Sequence, residues 1–331
     1  MVSRIGFTGD VMLGRVVDDR QRRRPVDAVW GTVLERLRGL DGLVINLECV
    51  LSTRGSRWRR THRPFHFRAD PDWAVPALER AGVDVCALAN NHVLDYEEIA
   101  LRDTLANLDG AGIARTGAGE TLEEALEPAI VSVDGLDVAV VSFTDNTPEY
   151  AADDASPGTA WIEIDRENPE TRRRVREALE RARGTDPDLL VASLHWGPNM
   201  VEEPPASFRE FGRWLVEQGV DVVHGHSAHV FQGVEVHEGR PILYDTGDFV
   251  DDYAVDSRLR NDRSFLFVLR IADDGEVLEC RLHPTEIDDC AVHEAPPDAA
   301  DWARERMREL SAPFGTAFDR DGSALVLSLE D

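Results

Sequence analysis

The chain contains no lysine: its 36 cationic side chains are all arginines, set against 63 aspartates and glutamates for a formal net charge of −27 over 331 residues. A surface this negative repels phosphate backbones and anionic lipids, which argues against nucleic-acid or membrane-surface binding. Cysteine is scarce. Cys49, Cys86, Cys280 and Cys290 form no C-x-x-C pair, which excludes a zinc knuckle or a dithiol redox motif. Cys49 and Cys86 sit in or beside apolar runs and are expected to be buried free thiols, whereas Cys280 and Cys290 are free to pair. No apolar run approaches the roughly 18 residues of a spanning helix. The opening MVSRIGFTGDVMLGR reads as a strand and a polar turn without a secretory signal, so a cytoplasmic location is the expectation.

The acids are spread along the chain instead of gathered in a tail. That distribution points to adaptation to a salty interior, where screening relieves the repulsion. The 42% of hydrophobic residues suffices for a sizeable core. Strand and helix signals alternate through the first two-thirds. Arg4–Gly9, Gly42–Leu47, Val83–Ala89, Asp188–Leu194 and Val220–Val223 read as strands. Pro25–Leu37, Asp72–Ala81, Glu97–Gly110, Asn168–Arg183 and Ser207–Gln218 read as helices. Ala129–Ser142 predicts a hairpin turning at Asp134–Gly135. Beyond residue 229, Val230–Val236, Pro241–Tyr244, Ser264–Ile271 and Val277–His283 predict strands on short turns, and Asp298–Leu310 a helix. The pattern predicts an α/β layered sandwich, an alternating half leading into an antiparallel half, within one domain.

Polar residues with metal-ligand chemistry follow the apolar strands directly. Asp10 follows IGFTG. Asn46 and Glu48 close GLVINLE, and Asn90, Asn91 and His92 close VDVCALANNH. His195 closes DLLVASLH, and His224, His226 and His229 close VDVVHGHSAH. Carboxylate, amide oxygen and imidazole suit Mn, Fe, Zn or Mg, one or two ions per chain. Such ions polarise an ester or amide oxygen and activate water. Asp95 and Asp221 are candidates to fix an imidazole's tautomer. Singly, Asp10 would read as a helix cap, Asn90–Asn91 as a turn and His195 as a core histidine; together they indicate a site. Arg54, Arg57, Arg59, Arg60 and Arg63, with Trp58, form the densest basic segment. It reads either as a clamp for an anionic substrate or as a loop paired with surface acids.

GDVMLGR, INLECVLS, FHFRADP, ALANNHVLDY, LHWG, HGHSAHVFQGVEV and ILYDTGDFVDDY, in that order, resemble the CapA family of poly-γ-glutamate capsule synthesis, within the calcineurin-like metallophosphoesterase superfamily. The resemblance runs over about residues 4–285, with residues 286–331 as a C-terminal extension packing on the core. It implies a four-layer α/β/β/α sandwich of the metallo-dependent phosphatase type. It further implies Asp10, Glu48, Asn91, His195 and the HGHSAH histidines (His226 and His229 ahead of His224) as metal ligands. Glu48 takes the place of the bridging acid, with Asn46 beside it, and His92 that of the residue contacting substrate and protonating the leaving group. Asp10 and His92 are then the catalytic pair, and Asn46, Asn90, Arg57, Arg59, Arg60 and Asp248 the candidates for substrate contact. Two departures stand out. Met12 replaces the histidine of the superfamily's Asp-x-His motif, removing an imidazole, and Ser227 stands where a final-motif histidine would align.

Two functions follow. One is a metal-dependent hydrolase, or amide-transferring enzyme, acting on an anionic small molecule or polymer in polyglutamate capsule metabolism, or a phosphoesterase of another pathway. The other is a non-catalytic accessory subunit of a capsule-synthesis complex. The salt reading predicts that the urea midpoint rises between dilute buffer and molar salt; an unchanged midpoint would remove it.

Overall fold

The computed structural model describes residues 2–329. Two β-sheets lie face to face. In the first, the strands run in the order Asp319–Asp321, Ala324–Ser328, Val277–Asp288, Arg263–Ala272, Val2–Val11, Gly42–Leu47, Val85–Ala87, Ala114–Thr116. In the second the order is Val234–His237, Arg240–Leu243, Val222–His226, Leu189–His195, Leu136–Thr144, Ala129–Val133. In the first sheet the strands from Val2–Val11 to Ala114–Thr116 are parallel and those on the other side antiparallel, whereas the second sheet has a parallel centre and antiparallel edges.

Strand alternation explains the layering, because successive side chains point to opposite faces. Val138 and Val140 face Phe7, Val44, Phe265 and Phe267 of the other sheet. Their neighbours Ala139 and Val141 face outward, against Val175 and Leu179 of helix Pro169–Arg183 and Phe211 and Leu215 of helix Ala206–Glu217. On the outer side of the first sheet, Ile45 and Cys86 meet Trp73, Ala77 and Leu78 of helix Pro71–Ala81 and Leu101 of helix Glu97–Ala111. The result is the four-layer α/β/β/α sandwich. The helix Pro297–Ser311 adds Ala303, Met307 and Leu310 to the inter-sheet core, and the strand Ala324–Ser328 extends the first sheet.

Local signals act where the sequence places them. Asp70 accepts from the Asp72 amide at one helix start, and Pro71 opens that helix. Asn168 caps another in the same way. The hairpin turns at Asp134 (φ 51°) and Gly135 (φ 88°).

Two expectations need correction. Pro25–Leu37 is not one helix: a 3₁₀ stretch over Val26–Val33, kinked at Gly31 (φ 40°, ψ −129°), leads into a short helix at Leu34–Arg38. Val230–Val236 pairs regularly only over Val234–His237. Beyond residue 229 the pairing is mainly antiparallel, as expected, and the chain divides those strands between the two sheets. It builds the parallel part of the first sheet, then the second sheet, and returns to the first through Asp248–Val250 and Arg263–Ala272. All four cysteines are free and buried. No helix among the described residues is long and apolar enough to cross a membrane.

Phe267 is fully buried between the sheets. Phe267→Ala should cost about 3–5 kcal/mol in urea unfolding through lost transfer energy and the cavity left behind. A loss under about 1 kcal/mol would contradict a close-packed inter-sheet core.

Candidate metal centre

Register delivers the polar residues to one sheet edge. Asp10 lies opposite Asn46 on one side and Asp248 on the other. His195 lies opposite His226 in the second sheet. Close backbone approach makes this possible. A Cβ on Gly9 would lie 1.9 Å from the Gly247 carbonyl oxygen, and one on Gly225 would lie 2.0 Å from that of Tyr244. Beyond His226 the backbone takes positive φ at Ser227 (111°) and His229 (60°), a costly conformation for non-glycine residues that is commonly kept at functional sites. Asp245 holds this turn by accepting from the Ala228 and Gly247 amides, each at 2.8 Å.

Asp10 is the hub. It is fully buried, and each of its oxygens serves a different group. Oδ1 lies 3.4 Å from His226 Nδ1 and 3.7 Å from His195 Nδ1, and accepts from Asn46 Nδ2 at 2.6 Å. Oδ2 lies 3.7 Å from His229 Nδ1, which is itself 2.8 Å from Asp248 Oδ1. Two buried clusters with the ligand atoms of a cation site therefore share Asp10: Asp10–His195–His226 and Asp10–His229–Asp248. Asn91 Oδ1 is 2.8 Å from the outer nitrogen of His195. Asn90 donates to Asn46 Oδ1 and to the Leu47 carbonyl, and so braces the first sheet's edge.

The electrostatics call for positive charge. Glu48 is fully buried and neither carboxylate oxygen has a hydrogen-bond partner among the described residues; its nearest nitrogens are His92 Nε2 at 3.5 Å and His195 Nε2 at 3.9 Å. Burial, then Asp10, Asp248 and Asp95, push Glu48 well above the usual carboxylate range. Burial likewise raises Asp245, Asp248 and Asp251. Burial also opposes charge on Asp10, but hydrogen bonds to His195 and His226 hold its carboxyl well below its ordinary value. Burial lowers His226 to about 4 against the pull of Asp10, favouring the neutral imidazole that ligates metal. Orphaned carboxylate oxygens, oxygen and imidazole donors, and an excess of buried negative charge fit a divalent cation.

His92 stands at the rim. Its Nδ1 is 2.5 Å from Asp95 Oδ2, and its ring stacks on Phe67 with centroids 3.8 Å apart. Burial lowers its basicity while Asp95 raises it. A cavity of about 390 Å³ opens beside it, lined by Arg63, Phe65, Asn91, His92, His229 and Tyr253 among others.

Not every expected residue reaches this centre. His224 lies one register step deeper, edge-on to Phe7, with Nε2 2.8 Å from the Thr8 carbonyl and Nδ1 3.3 Å from Ser193 Oγ. Met12 is buried and accepts from the Gly14 amide through sulfur; Asp248 supplies a ligand atom where Met12 offers none. Arg57 and Arg59 are exposed and do not line the cavity, and Arg60 pairs with Glu97 at 2.7 Å. Asp95 braces an imidazole, whereas Asp221 binds the Leu190 amide and Arg240 instead. Asp251 packs against Asp248, and the Tyr253 ring lies 4.8 Å from His229. Both belong to the ILYDTGDFVDDY motif, in which the sequence offered a role for Asp248 alone.

Residues 4–253 match the family described as bacterial capsule synthesis protein PGA_cap. A "Probable polyglutamine synthesis accessory protein" of Mycobacterium tuberculosis is 34% identical over 93% of this chain and 83% of its own length. The "PGA biosynthesis protein CapA" of Bacillus subtilis is 28% identical over 98% of this chain and 82% of its own. Among solved structures, a purple acid phosphatase from yellow lupin (Lupinus luteus) covers 89% of this chain and 53% of its own at 7% identity and a TM-score of 0.39.

Adding Mn²⁺ should raise the melting temperature, since a ligand that binds only the folded state stabilises it by mass action. His229→Ala should weaken that rise. His224→Gln should lower stability yet keep it. The reverse pattern would contradict the assignment of His229, not His224, to the centre.

Proposed function

The chain belongs to the bacterial capsule synthesis protein family PGA_cap, and on that premise we propose that it is a divalent-cation-dependent hydrolase of an anionic substrate, with γ-linked polyglutamate as the first candidate. The observation that carries this reading is the sharing of Asp10 by two buried Asp/His clusters beside a cavity that holds His92. Asp10, His195 and His226 would hold one ion, and Asp10, His229 and Asp248 a second; Asn91 and Glu48 lie beside the outer nitrogen of His195. A bound divalent ion supplies Lewis acidity, polarising the scissile oxygen and lowering the pKa of water.

The chain's own residues do the rest. Asp95 accepts from His92 Nδ1 and leaves Nε2 facing Glu48, so a proton arriving at Nε2 is stabilised through the ring. Tyr150 and the Phe67 amide donate to Asp95 at 3.2 and 2.6 Å and hold it in place. His92 then delivers its proton to the leaving nitrogen or oxygen. Phe65 and Tyr253 give the cavity an apolar wall beside His92.

A second reading, a non-catalytic accessory subunit of capsule assembly, draws on the printed name of the mycobacterial relative. Turnover separates the two. Mn²⁺-loaded protein should cleave γ-linked oligoglutamate or a generic phosphoester, and chelation should abolish the activity. His92→Asn should lower kcat on the order of 10²- to 10⁴-fold, as for loss of a general acid. No turnover of either substrate would favour the accessory reading, and chelator-resistant turnover would contradict the metal centre.

A further inference from the structure

We infer that Arg63 receives an oxyanion of the substrate in the cavity beside His92, and thereby sets a preference for acidic over neutral ligands. The inference rests on the reading of that cavity as the substrate site.

The five arginines of the basic segment are not equivalent in the fold. Arg54 is paired with Asp103 and Arg60 with Glu97, both acids on the helix Glu97–Ala111. Arg57 and Arg59 project into solvent. Arg63 alone of the five lines the cavity. Its guanidinium is held from three sides. It donates to Thr147 Oγ1 at 2.6 Å and to the Asn91 carbonyl oxygen, and it lies over the Tyr150 ring at 4.9 Å. Its Nε is buried without a partner, and among the described residues no carboxylate forms an ion pair with it. In a chain with 63 acids, a fixed guanidinium with no acid beside it is a position kept open for an anion.

Placement gives this charge its use. The Asn91 carbonyl tethers Arg63 one peptide bond from His92, the proposed proton donor. Asp10, Glu48 and Asp248 on the inner side would repel an acidic ligand, and Arg63 offsets them at the mouth. Phe65, Met200 and Tyr253 supply an apolar wall for the carbon chain that carries the charge. Arg15, the other arginine nearby, is engaged with Asp252 at 3.2 Å and stacked on Phe65. Carboxylate and phosphate share the required chemistry.

Titration calorimetry on Mn²⁺-loaded protein, with His92→Asn in the background to suppress turnover, tests this. The ligands are γ-linked triglutamate, the same peptide with its carboxylates amidated, and inorganic phosphate. Adding Arg63→Gln should weaken the oxyanion that uses the site on the order of 10- to 100-fold, as for loss of a charge-assisted hydrogen bond. The amidated peptide should be unaffected, and Arg63→Lys should recover part of the loss. A loss confined to triglutamate identifies a carboxylate, and one confined to phosphate a phosphoryl group. The inference is overturned if neither oxyanion binds, if both bind equally well to the Arg63→Gln protein, or if the amidated peptide weakens by the same factor. Wild-type protein that binds through Arg63 yet hydrolyses nothing would remove the hydrolase reading and leave this one standing.

Discussion

Buried negative charge that the protein does not itself neutralise is the constraint on which the centre depends. Asp10, Glu48, Asp245, Asp248 and Asp251 are all buried within one region. An isolated carboxylate taken from water into an apolar interior is costly unless it is paired or coordinates a metal. Asp245 is satisfied by two backbone amides and Asp10 by imidazoles and an amide. Glu48 has no such partner, and Asp248 and Asp251 each keep one unpartnered oxygen. A divalent cation would meet that demand at the position where the acids and imidazoles converge.

The fold tolerates this arrangement because the rest of the molecule is conventionally packed. Two sheets share a core of Phe7, Val140, Phe265 and Phe267, and helices cover both outer faces. The candidate ligands sit at or near strand ends, where side chains from neighbouring strands meet and the register of the first strand shifts around Asp10. Glycine at positions 9 and 225 lets the backbone of the Tyr244–Gly247 segment approach both sheets, and that approach brings Asp248 alongside Asp10. Positive φ at Ser227 and His229 turns the last imidazole back toward the same carboxylate. Local backbone cost is thus concentrated where it positions donors.

Much of this was legible in the sequence because strands announce themselves and the residues after them were polar. Asp10, Asn91, His195, His226 and His229 do meet in one place, and the ordered motifs pointed to the family that the chain belongs to. The three histidines of HGHSAH were harder to rank. His224 and His226 share a strand face, and only depth beneath Phe7 removes the first from the centre. The arginine segment was harder still. Which of its members stays unpaired depends on Glu97 and Asp103, some forty residues away, and spacing cannot reveal that. The kink at Gly31 and the return of the chain to the first sheet are tertiary outcomes that periodicity does not encode.

The central claim is that one carboxylate, Asp10, ties two cation positions together. Electron paramagnetic resonance of the protein loaded with Mn²⁺ tests it directly. A shared Asp10 predicts a spin-coupled spectrum from neighbouring ions at saturation, collapsing to an isolated sextet when the second cluster is removed. Uncoupled sextets at every loading would contradict the claim.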